Sequence, residues 1–168
     1  ETVMRVELTG KQADVYETIR LGMEKAVRDA LNTKGLAKSQ ITILDALLKL
    51  RQVCCDPQLI TTMAAAQKVK QSAKLAQLMA MLPEMLAEGR RVLLFSQFTG
   101  MLGLIEAELK KHALPWVKLT GQSRNRDALI ERFTSGEVPL FLISLKAGGS
   151  GLNLTSAAYV VLFDPWWN

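Results

Sequence analysis

The residues with the clearest chemical potential form a glycine-rich segment, SLKAGGSGLNL at 144–154, which follows an apolar run. Glycine has no side chain, so the backbone N–H groups of Gly148, Gly149 and Gly151 can turn outward and hold a phosphate. Lys146 adds a positive charge beside them. The alternative is that the glycines only make a tight turn and that Lys146 is solvated. A Walker loop is excluded because no G-x-x-x-x-G-K-S/T pattern occurs in the chain.

Two further polar segments follow apolar runs. In FSQFT at 95–99, Ser96, Gln97 and Thr99 offer hydroxyl, amide and backbone donors to an oxyanion, although this segment taken alone favours the capping of a helix. In TGQSRNR at 120–126, two arginines face phosphates or simply begin a solvated helix. Segments that follow strands of one parallel sheet meet at the same edge, where ligands gather. This shared location favours a phosphate-binding role.

The remaining candidates indicate little chemistry. Trp166 and Trp167 near the end of the chain are suited to stacking on bases or sugars, or to packing against other parts of the protein. The two cysteines, Cys54 and Cys55, and the single histidine, His112, cannot supply the four ligands of an ordinary zinc site. No nucleophile and base, and no pair of carboxylates, stand out as a catalytic set. The sequence therefore predicts no metal and no self-contained active site.

Elements that could position these segments alternate between helix and strand after residue 72. A helix begins at Ser72, contains Pro83 and ends at Gly89. Four short runs that are apolar throughout, separated by single helices, predict a parallel sheet covered by helices on both faces. The predicted strands are 92–95, 116–119, 140–145 and 159–163, with helices at 101–112 and 127–133.

The first 70 residues carry helical periodicity instead. Apolar residues recur every four positions from Val15 to Val27, in a helix that Thr9 can cap and that Gly35 ends. A second apolar stripe around Leu47 predicts another helix, ending near Asp56 because a proline follows. We therefore expect a helical hairpin in a first domain at 1–71, with 61–71 as a linker, and a second domain at 72–168.

Composition restricts the class of protein. Of the 168 residues 49% are hydrophobic and 22% charged, which is typical of a globular chain. Lys and Arg number 21 against 16 Asp and Glu, a net charge of +5 that weakly favours a polyanionic partner. No apolar run reaches the roughly 18 to 20 residues of a membrane span, and the start lacks a signal-peptide core. We expect an intracellular protein, cytoplasmic if bacterial and nuclear if eukaryotic.

Four motifs in order carry a resemblance to a known family. They are LKLRQVCCDP at 48–57, VLLFSQFT at 92–99, the 144–154 segment, and LFDPWWN at 162–168. Together they resemble the Swi/Snf family of ATP-dependent DNA translocases, in helicase superfamily two. The match covers essentially the whole chain and is to the second of two RecA-like lobes, preceded by a helical segment leading out of the first. The resemblance implies an α/β fold, a RecA-like parallel sheet sandwiched by helices after the helical hairpin.

The resemblance also implies roles for individual residues. Family motif IV and the first half of motif V hold the phosphates of one DNA strand, and a later segment lies beside the DNA. The implied DNA-binding residues are Ser96, Gln97, Ser144, Lys146, Ala147, Gly148, Gly149, Trp166 and Trp167. Gly151 and Asn153 match positions that face the nucleotide across the interface between the lobes.

By the same resemblance, the whole protein would hydrolyse ATP with Mg²⁺, bound mainly by a first lobe. The chain starts at Glu1 rather than Met and lacks the motif VI arginines, so we expect it to be part of a larger protein, inactive alone and without bound cofactor. Double-stranded DNA, the first lobe and a DNA-bound target protein are the expected partners. Two alternatives are an RNA helicase lobe, against which the Lys146 to Gly149 segment argues, and a non-catalytic module that docks a protein.

Overall fold

The computed structural model of the chain describes residues 1–149 and 152–165. It contains two compact units, Glu1–Ala76 and Gln77–Asn168. The sequence analysis placed a boundary slightly earlier, after residue 71. Within the described residues, no helix combines the length and the apolar character needed to cross a membrane.

The first unit is built on α1 (Gly10–Cys55), which is interrupted at Gly35. Gly35 has φ 75° and ψ 173°, a conformation that is accessible essentially to glycine alone, and it divides α1 into two arms. The side chain of Gln12 donates to the carbonyl of Val53 at 2.9 Å, which joins the start of the first arm to the end of the second. This confirms the predicted hairpin and its turn at Gly35.

The start of α1 differs from the prediction. Thr9 occupies the N-cap position, but its side chain makes no capping hydrogen bond. The N–H of Lys11 donates instead to Oε1 of Gln71, at 3.2 Å. The Gln71 side chain, 60 residues from Lys11, therefore satisfies an N–H in the first turn of α1, the role that the sequence analysis gave to the side chain of Thr9.

The expected linker at 61–71 is in fact packed. After a 3-10 turn at Pro57–Leu59 it forms the short helix α2 (Ala64–Gln67). Ala66 and Val69 are buried in one apolar cluster with Val15, Ile19 and Val53 of the hairpin. The linker expectation was wrong because Ala66 and Val69 supply apolar surface that the base of the hairpin buries, although Ala64 and Ala65 are exposed.

The next helix follows the predicted signals closely. α3 (Ala73–Ala87) starts after Ser72, whose hydroxyl oxygen accepts the N–H of Leu75 at 3.2 Å, and it includes Pro83. Gly89 follows its end with φ 78°, the left-handed conformation expected of a glycine that terminates a helix.

The second unit contains the sheet. Its elements in chain order are β1 (Val92–Ser96), α4 (Thr99–Lys111), β2 (Val117–Leu119), α5 (Arg126–Thr134), β3 (Leu140–Ser144), α6 (Leu145–Gly148) and β4 (Tyr159–Leu162). The strands are all parallel, in the order β2-β3-β1-β4. The four predicted strands are confirmed to within one residue at each end: Ser96 belongs to β1, Trp116 and Phe163 lie just outside β2 and β4, and Leu145 begins a short helix rather than ending β3.

Both faces of the sheet are covered. On one face, Leu93, Phe141 and Ile143 form a buried cluster with Phe133 of α5, and the rings of Phe133 and Phe141 are 5.5 Å apart. The alternate residues of β1 and β3 point to the other face and are also buried, where α4 contacts these two strands. The sandwich of helices around a parallel sheet is therefore as predicted. It places the ends of the strands together at one edge.

Candidate nucleic-acid interface

The polar segments singled out in the sequence meet at the carboxyl edge of the sheet. β1 and β3 pair in a register that puts Ser96 opposite Ser144, so the two strands end side by side. The N–H of Phe163 donates to the carbonyl of Phe95 at 3.0 Å, which brings the segment after β4 to the same edge. The segment at 120–126 follows β2, on the far side of β3. The predicted convergence is confirmed for the described residues.

Ser96 is buried rather than presented at the surface. Its hydroxyl donates to Oδ2 of Asp164 at 2.9 Å, and its oxygen accepts the N–H of Phe98 at 3.1 Å. The expectation that this hydroxyl is open to an oxyanion is wrong for this structure, because a carboxylate already occupies it. Its contact with DNA stays a prediction based on the family resemblance.

Asp164 is the residue of this edge that sequence analysis missed. Its side chain is buried, with the residue only 5% exposed, and Oδ1 accepts the backbone N–H of Gln97 at 3.1 Å. One carboxylate thus joins the end of β1 to the segment after β4. Asp164 and Ser96, which it bonds, are 68 residues apart in the sequence. The available signal was its position, directly after a predicted strand at the edge where polar groups converge.

The side-chain amide of Gln97 contains a hydrogen-bond donor without an acceptor. Its Nε2 atom is buried and has no hydrogen-bond partner among the described residues, while its backbone N–H is bonded to Asp164. A buried donor without an acceptor is costly, since it has lost water and gained nothing in return. Of the polar groups after β1, the Gln97 side chain is therefore the one with free capacity for an acceptor.

The first part of the glycine-rich segment forms the short helix α6 (Leu145–Gly148) in place of the expected loop. Ser144 is the N-cap of α6, and its hydroxyl oxygen accepts the N–H of Ala147 at 3.3 Å. The N–H of Gly149 donates to the carbonyl of Leu145 at 3.1 Å, and Gly149 has right-handed helical angles. The expectation that the amide of Gly149 is bare was therefore wrong, because it bonds within the protein, as does the amide of Ala147.

The need for glycine at 148 is steric. A Cβ built on Gly148 would lie 2.7 Å from Cε1 of Phe95 and 3.4 Å from Cγ2 of Ile143. Ala147 beside it is buried in the core cluster on that face of the sheet. These two small residues allow α6 to pack closely on β1 and β3, which places its remaining residues at the edge.

Positive and polar side chains are exposed along this edge. Lys146 on α6 and Arg124 in the segment after β2 are both exposed. Asn153 is exposed between Leu152 and Leu154, which pack on the core cluster. The predicted residues Gly151, Trp166 and Trp167 lie outside the described residues. The described part of the edge thus combines cationic groups with the open amide of Gln97, which suits an anionic ligand.

Among the described residues, no cluster of three or more histidine, cysteine, aspartate or glutamate side chains is arranged to hold an ion. Both cysteines are free, and burial raises the pKa of the Cys54 thiol, so this thiol is largely protonated at neutral pH. Burial also raises the pKa of Asp56, whose Oδ1 accepts the N–H of Gln58 at 2.8 Å at the end of α1. The residues described here do not fit a magnesium site.

Comparison with known proteins assigns the fold. Residues 73–168 match the family described as the helicase conserved C-terminal domain. The Sulfolobus solfataricus SWI2/SNF2 ATPase C-terminal domain aligns with 99% of this chain and 72% of that chain, with a TM-score of 0.82 and 32% sequence identity. The core of that ATPase in complex with double-stranded DNA aligns with 97% of this chain and 34% of that chain, with a TM-score of 0.80 and 30% identity.

Curated relatives agree with these matches. Chromodomain-helicase-DNA-binding protein 8 of Xenopus tropicalis is 32% identical over 194 residues, which cover 100% of this chain and 9% of that protein. Chromatin structure-remodeling complex protein SYD of Arabidopsis thaliana is 34% identical over 172 residues, covering 94% of this chain and 5% of that protein. The chain spans less than a fifth of these relatives. With the family pattern over more than half its length, and the fold of a solved SWI2/SNF2 domain over nearly all of it, the chain belongs to the SWI2/SNF2 group of the helicase C-terminal domain family, as a RecA-like lobe.

Proposed function

We propose that this chain is the DNA-holding lobe of an ATP-dependent translocase, and that it grips the phosphate backbone at the carboxyl edge of its sheet. The observation that carries the proposal is the placement of Lys146. It is exposed on a helix that starts where β3 ends, beside the end of β1 and the open amide of Gln97. Phosphate contacts read charge and not bases, so binding should be independent of sequence and should weaken with salt.

Within this proposal the residues of the edge have two kinds of role. Lys146 donates to phosphate oxygens, and Gln97, whose Nε2 atom is buried without a partner, is assigned to the phosphate path by the family resemblance. Ser144, Ala147 and Gly148 act indirectly, because their hydroxyl, small side chain and bare Cα hold α6 against the sheet. The assignment of Ser96, Gly149, Trp166 and Trp167 to the DNA path rests on the family resemblance. A solved relative whose description includes double-stranded DNA supports DNA as the ligand.

For the whole protein we propose ATP hydrolysis at an interface with a first lobe. Gly151 and Asn153 would face the nucleotide there, and the first lobe would supply the ligands of Mg²⁺. Asn153 suits this role because the leucines on both sides are anchored in the core while its own side chain is exposed. The chain alone is expected to hydrolyse no ATP. A DNA-bound protein displaced by translocation is the proposed target.

The test is the binding of this chain to a fluorescently labelled DNA duplex, measured by anisotropy over a range of salt concentrations. Lys146→Ala should weaken binding severalfold for every duplex sequence and lower the slope of log affinity against log salt by about 1, as expected for loss of one phosphate contact. Lys110→Ala is the matched control, because Lys110 is an exposed lysine in the last turn of α4, a helix that starts at the carboxyl edge and runs away from it. Equal effects of the two substitutions would refute the proposed grip.

The same titration separates the alternatives. An RNA helicase lobe predicts tighter binding to an RNA duplex than to DNA of the same sequence. A protein-docking module predicts that neither nucleic acid binds with a salt-dependent affinity.

A further inference from the structure

The buried carboxylate of Asp164 is an unusual component for an edge that binds a polyanion. It lies in the same hydrogen-bonded cluster as the two residues of the segment after β1 that the family resemblance assigns to DNA. A carboxylate repels phosphate, and removing it should by charge alone strengthen DNA binding. The Asp164 carboxylate must therefore contribute to this edge in a way that outweighs its repulsion of phosphate.

The contacts of Asp164 suggest what that role is. Oδ2 receives the hydroxyl of Ser96 at 2.9 Å and Oδ1 receives the backbone N–H of Gln97 at 3.1 Å. The Ser96 oxygen in turn accepts the N–H of Phe98 at 3.1 Å. Three consecutive residues are thus fixed, directly or through one hydroxyl, by a single side chain from the far end of the sequence. Hydrogen bonds to an ionised acceptor are stronger than those between neutral groups.

The backbone at Gln97 is fixed by this arrangement. Because its own N–H is held by Asp164, this backbone cannot rotate without breaking the hydrogen bond. Its Nε2 atom is buried without a partner, an arrangement that the rest of the segment must enforce since the atom itself gains nothing from it.

We infer that Asp164 is a positioning residue for DNA binding, which holds the backbone of Ser96, Gln97 and Phe98 in place at the edge where phosphate is proposed to bind. The inference rests on the proposed function of this edge. By this inference Asp164 does not contact DNA. Removing its carboxylate should nevertheless weaken DNA binding, although the change removes a negative charge.

The decisive experiment compares Asp164→Ala with Asp164→Asn in the 168-residue chain, with the labelled duplex as probe. Asparagine keeps an oxygen for the Gln97 N–H, and its amide can donate to the Ser96 oxygen while the Ser96 hydroxyl turns to the Phe98 carbonyl, 3.3 Å away. We expect Asp164→Ala to bind at least fivefold more weakly and Asp164→Asn to bind within twofold of the unaltered chain, or more tightly. Alanine binding as tightly as the unaltered chain, or more so, overturns the inference.

Two controls separate positioning from loss of the fold and from failure of the proposed function. Leu109→Ala removes a fully buried side chain near the end of α4 and should lower the melting temperature without a fivefold loss of affinity. Amide hydrogen exchange at Gln97 should accelerate in Asp164→Ala and stay slow in Asp164→Asn. If Lys146→Ala weakens binding while Asp164→Ala does not, only the present inference fails; if neither does, the proposed DNA grip fails as well.

If Asp164→Ala does not fold, a cycle of Ser96→Ala and Gln97→Ala decides the question. Should Ser96 act by positioning Gln97, the double variant will bind no more weakly than Gln97→Ala alone. Additive losses would mean that Ser96 contacts DNA directly, and would contradict its placement behind the Asp164 carboxylate.

Discussion

Replacing Gly148 by alanine tests the conclusion that this glycine is required for packing. The added methyl would lie 2.7 Å from Cε1 of Phe95, whereas carbon atoms in favourable contact are about 3.5–4.0 Å apart. The ring must therefore move by about 1 Å, and it packs against the buried cluster that contains Phe141 and Ile143. Overpacking of this kind costs about 1–3 kcal/mol.

The backbone change opposes this cost only in part. Alanine in place of glycine favours a helix by up to about 1 kcal/mol in a helix interior, and α6 has only four residues. We expect Gly148→Ala to lose about 1–2 kcal/mol of the free energy of unfolding. Gly149→Ala is the matched control, because its Cβ would meet nothing closer than the carbonyl oxygens of Leu145 and Lys146, at 3.7 and 3.8 Å. It should be neutral or slightly stabilising.

Urea unfolding followed by tryptophan fluorescence measures this difference. All three tryptophans lie within 77–168, so the signal reports the unit that contains Gly148. With a urea dependence of about 2 kcal/mol per molar, the midpoint for Gly148→Ala should fall by roughly 0.5–1 M at an unchanged slope. A variant as stable as the unaltered chain would show that Phe95 does not constrain α6, and equal losses at the two glycines would point to the backbone instead.

Two further predictions concern the helical unit. Burial raises the pKa of Asp56, so the folded state binds the proton of this carboxyl more tightly than the unfolded chain does. The contribution of this proton to the free energy of unfolding is complete below the ordinary pKa of 3.8 and is lost as the pH rises through the folded-state pKa. Asp56→Asn keeps an oxygen for the Gln58 N–H and should gain stability relative to the unaltered chain between acid and neutral pH, measured by thermal unfolding; a constant difference across pH would contradict this. Gly35→Ala should cost about 1–3 kcal/mol because φ is 75° and ψ is 173°, while Gly22→Ala, in open space inside the first arm, should stabilise the helix by about 0.5–1 kcal/mol. Unfolding of both variants followed by circular dichroism gives the order of their stabilities. Equal stability of Gly35→Ala and Gly22→Ala would refute the turn assigned to Gly35.

The burial of Ser96 changes how the family motif is understood at this edge. A serine after a parallel strand looks like a phosphate ligand from its type and position. In the structure its hydroxyl is used to hold the adjacent backbone, through Asp164 and Phe98. The side chains exposed at this edge are the longer ones, Lys146 and Arg124, whereas the Nε2 atom of Gln97 is buried without a partner. The small polar residue Ser96 therefore contributes order to this edge, whereas contact with phosphate belongs to the proposed role of the long side chains.

Local physical rules were enough to derive much of the fold. Strands that are apolar throughout can only be buried on both faces, which predicts the parallel sheet and its helices. The cap at Ser72, the turn at Gly35 and the left-handed glycine at Gly89 were all readable, because each depends on a residue and its nearest neighbours. The convergence of polar segments at one edge followed from the same logic, since parallel strands must end together.

The amino-acid sequence by itself thus determined the elements, the sheet and the edge at which ligands would gather, because backbone geometry and apolar periodicity act over a few residues. Only the tertiary structure decided which donors at that edge remain open. Asp164 reaches Ser96 across 68 residues, and Gly148 is required by the ring of Phe95, more than fifty positions earlier in the chain. Such contacts depend on how strands and helices pack against one another. The spacing of residue types along the chain does not predict which distant residues will meet.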